Sequence, residues 1–119
     1  MKILFDAMGG DNAPDANITG AVNAIEKINA EIILIGNEKI LNERIKELYG
    51  KENINELSDR IKIVNAEEEI TMEDSPTKAI KTKKNSSMVV GFNMLKNGEG
   101  DVFLSAGNSG ALLAGATLL

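Results

Sequence analysis

The chain has 119 residues, of which 43% are hydrophobic and 26% charged, a balance typical of one soluble globular domain. It contains no cysteine and no histidine, which excludes a disulfide framework, a thiolate nucleophile and the usual Ser-His or Cys-His catalytic arrangement. A net charge of −5 with no clustered basic face argues against nucleic acid as a partner.

The two ends of the sequence bear on location and completeness. No basic region followed by a long apolar stretch opens the chain, so we expect no signal peptide. The longest apolar run, 111–119, is shorter than the roughly 20 residues that span a bilayer, so we expect a cytoplasmic protein. This run also lacks a cap, a charge or a stop signal. We therefore expect a truncated chain, in which residues 1–119 form a single N-terminal α/β segment of a longer domain.

Strand and helix signals alternate through the first half of the chain. Residues 3–5 and 32–35 are short apolar runs that predict buried strands. Between them, apolar residues at helical spacing up to Ile28 predict a helix whose first turn contains Pro14. A second helix should end at Gly50, and its apolar face is formed by Leu41, Ile45 and Leu48. Residues 51–59 are polar and predict a loop or frayed helix.

The second half continues the alternation. Residues 61–64 predict a third strand, and Ser75 with Pro76 predicts a helix cap and first turn. Another cap is offered at 85–87, before an apolar stripe that stops near Gly98. Residues 102–104 predict a fourth strand. Continuous apolar strands separated by helices indicate an α/β fold with a parallel sheet and helices on both faces.

Two glycine-rich loops follow predicted strands. The first, 6–14, comes after strand one, and the second, 105–110, comes after strand four. Because parallel strands end at the same sheet edge, both loops should lie where α/β proteins bind ligands, with main-chain amides available to an anion. Neither loop matches the G-x-G-x-x-G or G-x-x-x-x-G-K-[ST] patterns. Tight turns that need positive φ are the alternative interpretation.

Several polar residues have both a functional and a purely structural interpretation. Asp6 and Asp11 could orient a base or an amide, but Asp11 or Asn12 could equally cap the first helix. Lys83 and Lys84 could attract an anion or simply end a helix. The acidic run 67–69 is interpreted as a solvated face, and we predict no metal site. Met72 and Met88 are interpreted as core residues.

Four segments in register resemble the phosphate acyltransferase (PlsX) family: D-A-M-G-G-D-N-A-P, E-D-S-P, K-K-N-S-S-M and S-A-G-N-S-G-A. The resemblance runs along the whole chain, although a complete family member is much longer. It implies a Rossmann-like three-layer sandwich with a mainly parallel sheet, similar to phosphotransacetylases and isopropylmalate dehydrogenase. It also implies transfer of a fatty acyl group from acyl-carrier protein to inorganic phosphate, giving an acyl phosphate for phospholipid synthesis.

The resemblance further implies a homodimer without an organic cofactor, soluble or peripherally associated with the inner membrane face through regions outside this chain. In this chemistry phosphate is the nucleophile, so the protein must position phosphate and stabilise an oxyanion. Backbone amides of both glycine loops suit these tasks, and we assign phosphate by preference to the second loop, because a helix is predicted to follow it directly. The catalytic candidates are Asp6, Asn12 and Lys84. The candidates for binding phosphate or substrate are Gly9, Gly10, Asp11, Ser86, Ser105, Gly107, Asn108, Ser109 and Gly110.

One residue departs from the family pattern, because many members carry histidine where this chain has Asn12. We therefore interpret Asn12 as a shaping or hydrogen-bonding residue. We expect the isolated segment to be inactive. The rival interpretations are a phosphotransacetylase-like enzyme using coenzyme A thioesters, a decarboxylating dehydrogenase, and a non-enzymatic anion-binding module.

Overall fold

The structure is a computed structural model that describes residues 1–71, 73–107 and 115. Within these residues, four strands form one sheet: β1 (Lys2–Asp6), β2 (Glu31–Gly36), β3 (Ile61–Asn65) and β4 (Val102–Leu104). The strands are connected by α1 (Asp15–Ile25), α2 (Glu38–Tyr49), α3 (Pro76–Thr82) and α4 (Ser87–Lys96). A short 3-10 helix, Ile54–Glu56, lies in the polar stretch for which a loop or frayed helix was predicted.

All paired strands are parallel, in the order β3-β2-β1-β4. The chain moves outward from β1 through β2 to β3, and then returns to place β4 on the other side of β1. Phe5 therefore pairs with Leu34 on one side and with Leu104 on the other. The strand order reverses between β1 and β4, and this reversal makes a switch point at the carboxyl edge of these two strands.

Successive side chains of β2 point to opposite faces of the sheet, and a hydrophobic core lies on each face. Ile32 and Leu34 pack into a cluster with α1 and α2, which includes Ile18, Leu41 and Ile45. Ile33 and Ile35 face the opposite side and pack with residues of α4 such as Val90 and Met94. The α/β fold with helices on both faces is confirmed.

Local signals set most element ends. Gly50 ends α2 in the left-handed conformation, with φ of 69°, and its amide donates to the Lys46 carbonyl. Ser86 caps α4 by accepting a hydrogen bond from the Val89 amide. Both predictions from the sequence are confirmed.

Other local predictions are wrong. Helix α1 ends at Ile25, so Ile28 lies beyond it and is exposed, and Leu48 is 40% exposed rather than part of a buried face. Ser75 and Pro76 do occupy the cap and first positions of α3, as predicted, although the Ser75 side chain makes no capping hydrogen bond. Neither Asp11 nor Asn12 caps α1 with its side chain, since the cap position belongs to Pro14.

Candidate functional site

The two glycine loops meet at the switch point. A Cβ atom placed on Gly9 would lie 2.8 Å from the Gly107 amide nitrogen and 2.8 Å from Asp6 Oδ2. Real Cβ atoms do not approach other atoms so closely, so the first loop requires glycine here to contact the second. Gly10 has a φ of 99°, which also favours glycine. The prediction that both loops lie together at one sheet edge is confirmed for their described residues, among which Gly10 has a positive φ and Gly9 and Gly107 do not.

Asp6 joins three parts of the chain at the end of β1. Its side chain is almost fully buried, and Oδ1 accepts hydrogen bonds from Ser87 Oγ at 2.5 Å and from the Met8 amide at 3.0 Å. Oδ2 accepts from Ser105 Oγ at 2.8 Å. Helix α4 and both loops therefore hold one carboxylate, which compensates for its burial.

Ser105 has its hydrogen-bonding capacity committed inside the protein. Its single hydroxyl proton is donated to Asp6, and its oxygen accepts from the Gly107 amide at 3.1 Å. A hydroxyl has only one proton to donate, so in this arrangement Ser105 shapes the second loop and does not offer a donor to an anion.

Asn17 fixes the shape of the first loop from within α1. Its Nδ2 lies 2.9 Å from the carbonyl oxygens of Ala7 and Gly9, and 3.3 Å from that of Asp6. The sequence analysis did not select Asn17. The sequence signal that could have indicated Asn17 was its position, as a polar amide on the helix that follows a glycine loop. The carbonyl groups that Asn17 binds lie 8–11 residues earlier in the chain and cannot be assigned from spacing alone.

The first loop leaves main-chain donors available. Within the described part of the chain, the amides of Gly9, Gly10 and Asp11 have no hydrogen-bond acceptor. The Met8 and Gly107 amides are instead bonded to side chains. Among the described residues, the loop immediately before α1 therefore offers three consecutive amides to a ligand, whereas the second loop, to which phosphate was assigned by preference, is described only as far as Gly107.

The electrostatics at the start of α1 also matter for an anion. Asp15 lies in the first turn, and its carboxylate receives two hydrogen bonds of 2.8 Å from the Arg44 guanidinium. The hydrogen bond from Arg44 is the main reason that the pKa of the Asp15 carboxyl lies below its usual value. The cation offsets the negative charge that Asp15 would otherwise present at this helix end.

The remaining candidates occupy different surroundings. Asp11 and Asn12 are exposed in the first loop, next to Gly10. Ser86 is fully buried as the cap of α4, while Lys84 is exposed just before it. Lys83 donates to Asp74 Oδ2 at 2.8 Å and to the Glu69 carbonyl at 3.0 Å, so it is tied to the preceding loop.

Four residues and one segment that the sequence singled out lie outside the described residues. They are Met72, Asn108, Ser109, Gly110 and the apolar run 111–119 apart from Gly115. The described part of the second loop ends at Gly107.

A separate groove of about 560 Å³ lies at the carboxyl ends of β2 and β3. Its lining includes the carboxylates of Glu38 and Glu67 beside the amides of Asn37 and Asn65. Two carboxylates with one lysine, Lys39, do not favour a phosphate group. The glycine loops remain the better site for an anion.

Across the residues that the structure describes, no group of His, Cys, Asp and Glu side chains is arranged to hold a metal ion. In the same part of the chain, no helix has the length and apolar character needed to cross a bilayer.

A parallel sheet with two glycine loops meeting at its switch point defines the Rossmann-like class of ligand-binding α/β proteins. Comparison with known sequences narrows this class. The profile of the family described as fatty acid synthesis protein matches residues 1–119, and the chain belongs to that family.

Curated relatives agree with this assignment. The chain is 54% identical over 120 residues to the phosphate acyltransferase of Acetivibrio thermocellus, covering all of this chain and 34% of the relative. It is 48% identical over 120 residues to that of Alkaliphilus oremlandii, again covering all of this chain and 34% of the relative. It is 50% identical over 115 residues to that of Clostridioides difficile, covering 97% of this chain and 32% of the relative. The chain thus spans about a third of the length of these relatives.

Proposed function

We propose that this protein, in its full natural length, transfers a fatty acyl group from acyl-carrier protein to inorganic phosphate, and that residues 1–119 supply part of the phosphate site. The relatives named phosphate acyltransferase support the reaction class. The meeting of Gly9 with Gly107 at the switch point is the observation that carries the site assignment.

In this reaction a phosphate oxygen attacks the thioester carbonyl and forms a tetrahedral oxyanion. Collapse of that intermediate breaks the carbon–sulfur bond, releasing the carrier thiolate, which takes up a proton, and an acyl phosphate. The protein contributes position and electrostatic stabilisation, since phosphate itself is the nucleophile.

The first loop supplies the donors in this proposal. The amides of Gly9, Gly10 and Asp11 precede α1, so their N–H groups and the positive end of the helix dipole favour an anion there. The ion pair between Asp15 and Arg44 limits repulsion from the first turn. Asn12 lies next to these amides and is a candidate to hydrogen-bond the bound phosphate.

Asp6 acts as a positioning residue rather than a proton carrier. Both carboxylate oxygens already accept hydrogen bonds, and the group is buried between the two loops and α4. Taking up a proton there would weaken the bonds from Ser87 and Ser105. We therefore assign to Asp6 the alignment of the two loops.

Gly9→Ala tests the site in the full-length enzyme. The added methyl group would force Gly107 and Asp6 apart, so we expect kcat/KM for phosphate to fall by roughly 100-fold, as for a 1 Å displacement of a positioned group. Gly20→Ala is the matched control, because a Cβ at Gly20 meets nothing within 4 Å.

The assay follows phosphate-dependent loss of acyl-carrier protein thioester and formation of acyl phosphate, trapped as a hydroxamate. Thioester loss that needs no phosphate would contradict the reaction. Turnover with coenzyme A thioesters in place of the carrier protein would favour the phosphotransacetylase-like alternative. A Gly9→Ala protein with the wild-type kcat/KM for phosphate would overturn only the site assignment.

A further inference from the structure

The lysines of α3 form a basic surface on an otherwise acidic chain. Residues 75–98 contain five of the thirteen basic residues and none of the eighteen acidic ones. From the sequence as a whole we predicted no clustered basic face, but this segment taken by itself is positively charged.

Two of these lysines are exposed and make no ion pair with a described carboxylate. Lys78 and Lys81 are exposed and lie one helical turn apart, so they share a face of α3. Neither makes an ion pair within the described part of the chain, whereas Lys83 is paired with Asp74 at 2.8 Å. We define Lys78 and Lys81, with the exposed Lys84 that follows them, as the α3 lysine row.

The row is held rigidly beside the glycine loops. Ala79 and Ile80, on the opposite side of α3, are buried in a cluster with Met88 and Val89 of α4. Ser87, at the start of α4, contacts Asp6 at 2.5 Å. Two residues, Asn85 and Ser86, separate Lys84 from Ser87, so the Cα atoms of Lys84 and Ser87 lie within about 11 Å of each other.

We propose that the α3 lysine row is the docking surface for the acidic protein domain that carries the acyl thioester, an inference that rests on the proposed function. Such a carrier must place its thioester at the glycine loops while its own body stays outside, and the row is the charged surface beside them. Complementary charge steers association and favours the correct partner.

The composition of α3 favours a protein partner over an anionic membrane. Surface-bound helices combine their lysines with exposed Leu, Phe or Trp side chains that enter the lipid. Beside its exposed lysines, α3 instead exposes Thr77 and Thr82, while its apolar residues Ala79 and Ile80 are buried. Exposed lysines and threonines suit a polar, salt-sensitive contact with an acidic protein surface.

The test is the double variant Lys78→Glu/Lys81→Glu in the protein of full natural length. The control, Lys27→Glu/Lys51→Glu, makes the same change in net charge. Lys27 and Lys51 are exposed and follow the C-terminal ends of α1 and α2, at the opposite edge of the sheet. Lys78→Arg/Lys81→Arg keeps the charge and serves as the rescue variant.

We expect the α3 variant to raise KM for acyl-carrier protein thioester by roughly tenfold, because two exposed charge contacts are lost and reversed. It should leave kcat/KM for a short acyl-pantetheine thioester unchanged, since that substrate has no carrier domain. The control and rescue variants should match the wild type. At about 1 M salt, where the screening length is about 3 Å, the difference should disappear.

An unchanged KM, an equal loss on both substrates, or an equal loss in the control would overturn the proposal. Wild-type binding to phosphatidylglycerol vesicles that the α3 variant loses, with an unchanged KM for the carrier thioester, would replace the protein partner with a membrane. If the wild type shows no phosphate-dependent transfer, the proposed function fails. In that case, fluorescence anisotropy with labelled acyl-carrier protein measures docking directly. Equal affinity of the wild type and the α3 variant for the carrier protein would overturn the docking proposal.

Discussion

Replacing Asp6 with alanine should destabilise the protein because three donors lose one buried acceptor. The carboxylate accepts from Ser87 Oγ at 2.5 Å, from Ser105 Oγ at 2.8 Å and from the Met8 amide at 3.0 Å. Ser87 is 2% exposed, so water cannot easily replace its lost partner, while Met8 and Ser105 are partly exposed.

The size of the effect follows from these surroundings. An unsatisfied buried donor costs about 1–3 kcal/mol, and each partly exposed donor recovers some hydrogen bonding from water. Removing the buried charge also removes its desolvation cost, which offsets part of the loss. We expect Asp6→Ala to lower the free energy of unfolding by about 2–4 kcal/mol. Asp6→Asn, which keeps an acceptor of the same shape, should lower it by about 1–2 kcal/mol.

The measurement is urea unfolding of the full-length protein followed by circular dichroism. Asp11→Ala is the control, because Asp11 is an exposed carboxylate in the same loop, and its substitution should change stability by at most about 0.5 kcal/mol. If Asp6→Ala unfolds within about 1 kcal/mol of the wild type, the three hydrogen bonds do not hold the loops together and the reasoning fails.

Two further predictions concern packing and pH. Gly91→Ala would place a Cβ 2.3 Å from Phe103 Cε1, so it should lower the free energy of unfolding, measured with urea, by about 1–3 kcal/mol. Gly20→Ala is the control, because its Cβ would lie in open space, and it should be neutral or stabilising by up to about 1 kcal/mol. Equal effects of the two substitutions would contradict the packing of Gly91 against Phe103. The folded-state pKa of Asp15 is lowered by Arg44, so the pair stabilises the fold above the unfolded pKa of about 3.9 and loses this contribution as pH falls through the folded pKa. Arg44→Met should therefore be less stable than the wild type at pH 7, with a deficit that shrinks below about pH 4, and a deficit independent of pH would refute this.

Local sequence signals predicted the elements because each signal acts over a few residues. The apolar run of β2, the αL glycine at Gly50 and the Ser86 cap depend on neighbours within one turn or one strand. Helix ends without such a signal were less predictable, and α1 stops at Ile25 although the apolar periodicity continues to Ile28. Ile28 is 38% exposed, so apolar periodicity alone predicted neither its burial nor the end of the helix.

The candidate site was predictable only in outline. Glycine loops after two strands, together with the parallel order, indicated that both would lie at one edge. The sequence could not show that β4 pairs with β1, and this pairing brings Gly9 against Gly107. It also could not show which side-chain donors are already used, and this decided that Ser105 serves the loop rather than a ligand.

By itself, the sequence determined a parallel α/β fold and several residues that bound its helices, namely Gly50 at the end of α2, Ser75 before α3 and Ser86 before α4. Only the tertiary structure decided that Asp6 joins α4 and both loops, because its partners Ser87 and Ser105 lie 81 and 99 residues away along the chain. Hydrogen bonds of that separation depend on strand order and helix packing. No spacing rule encodes them, whereas a cap or a strand run is written in adjacent residues.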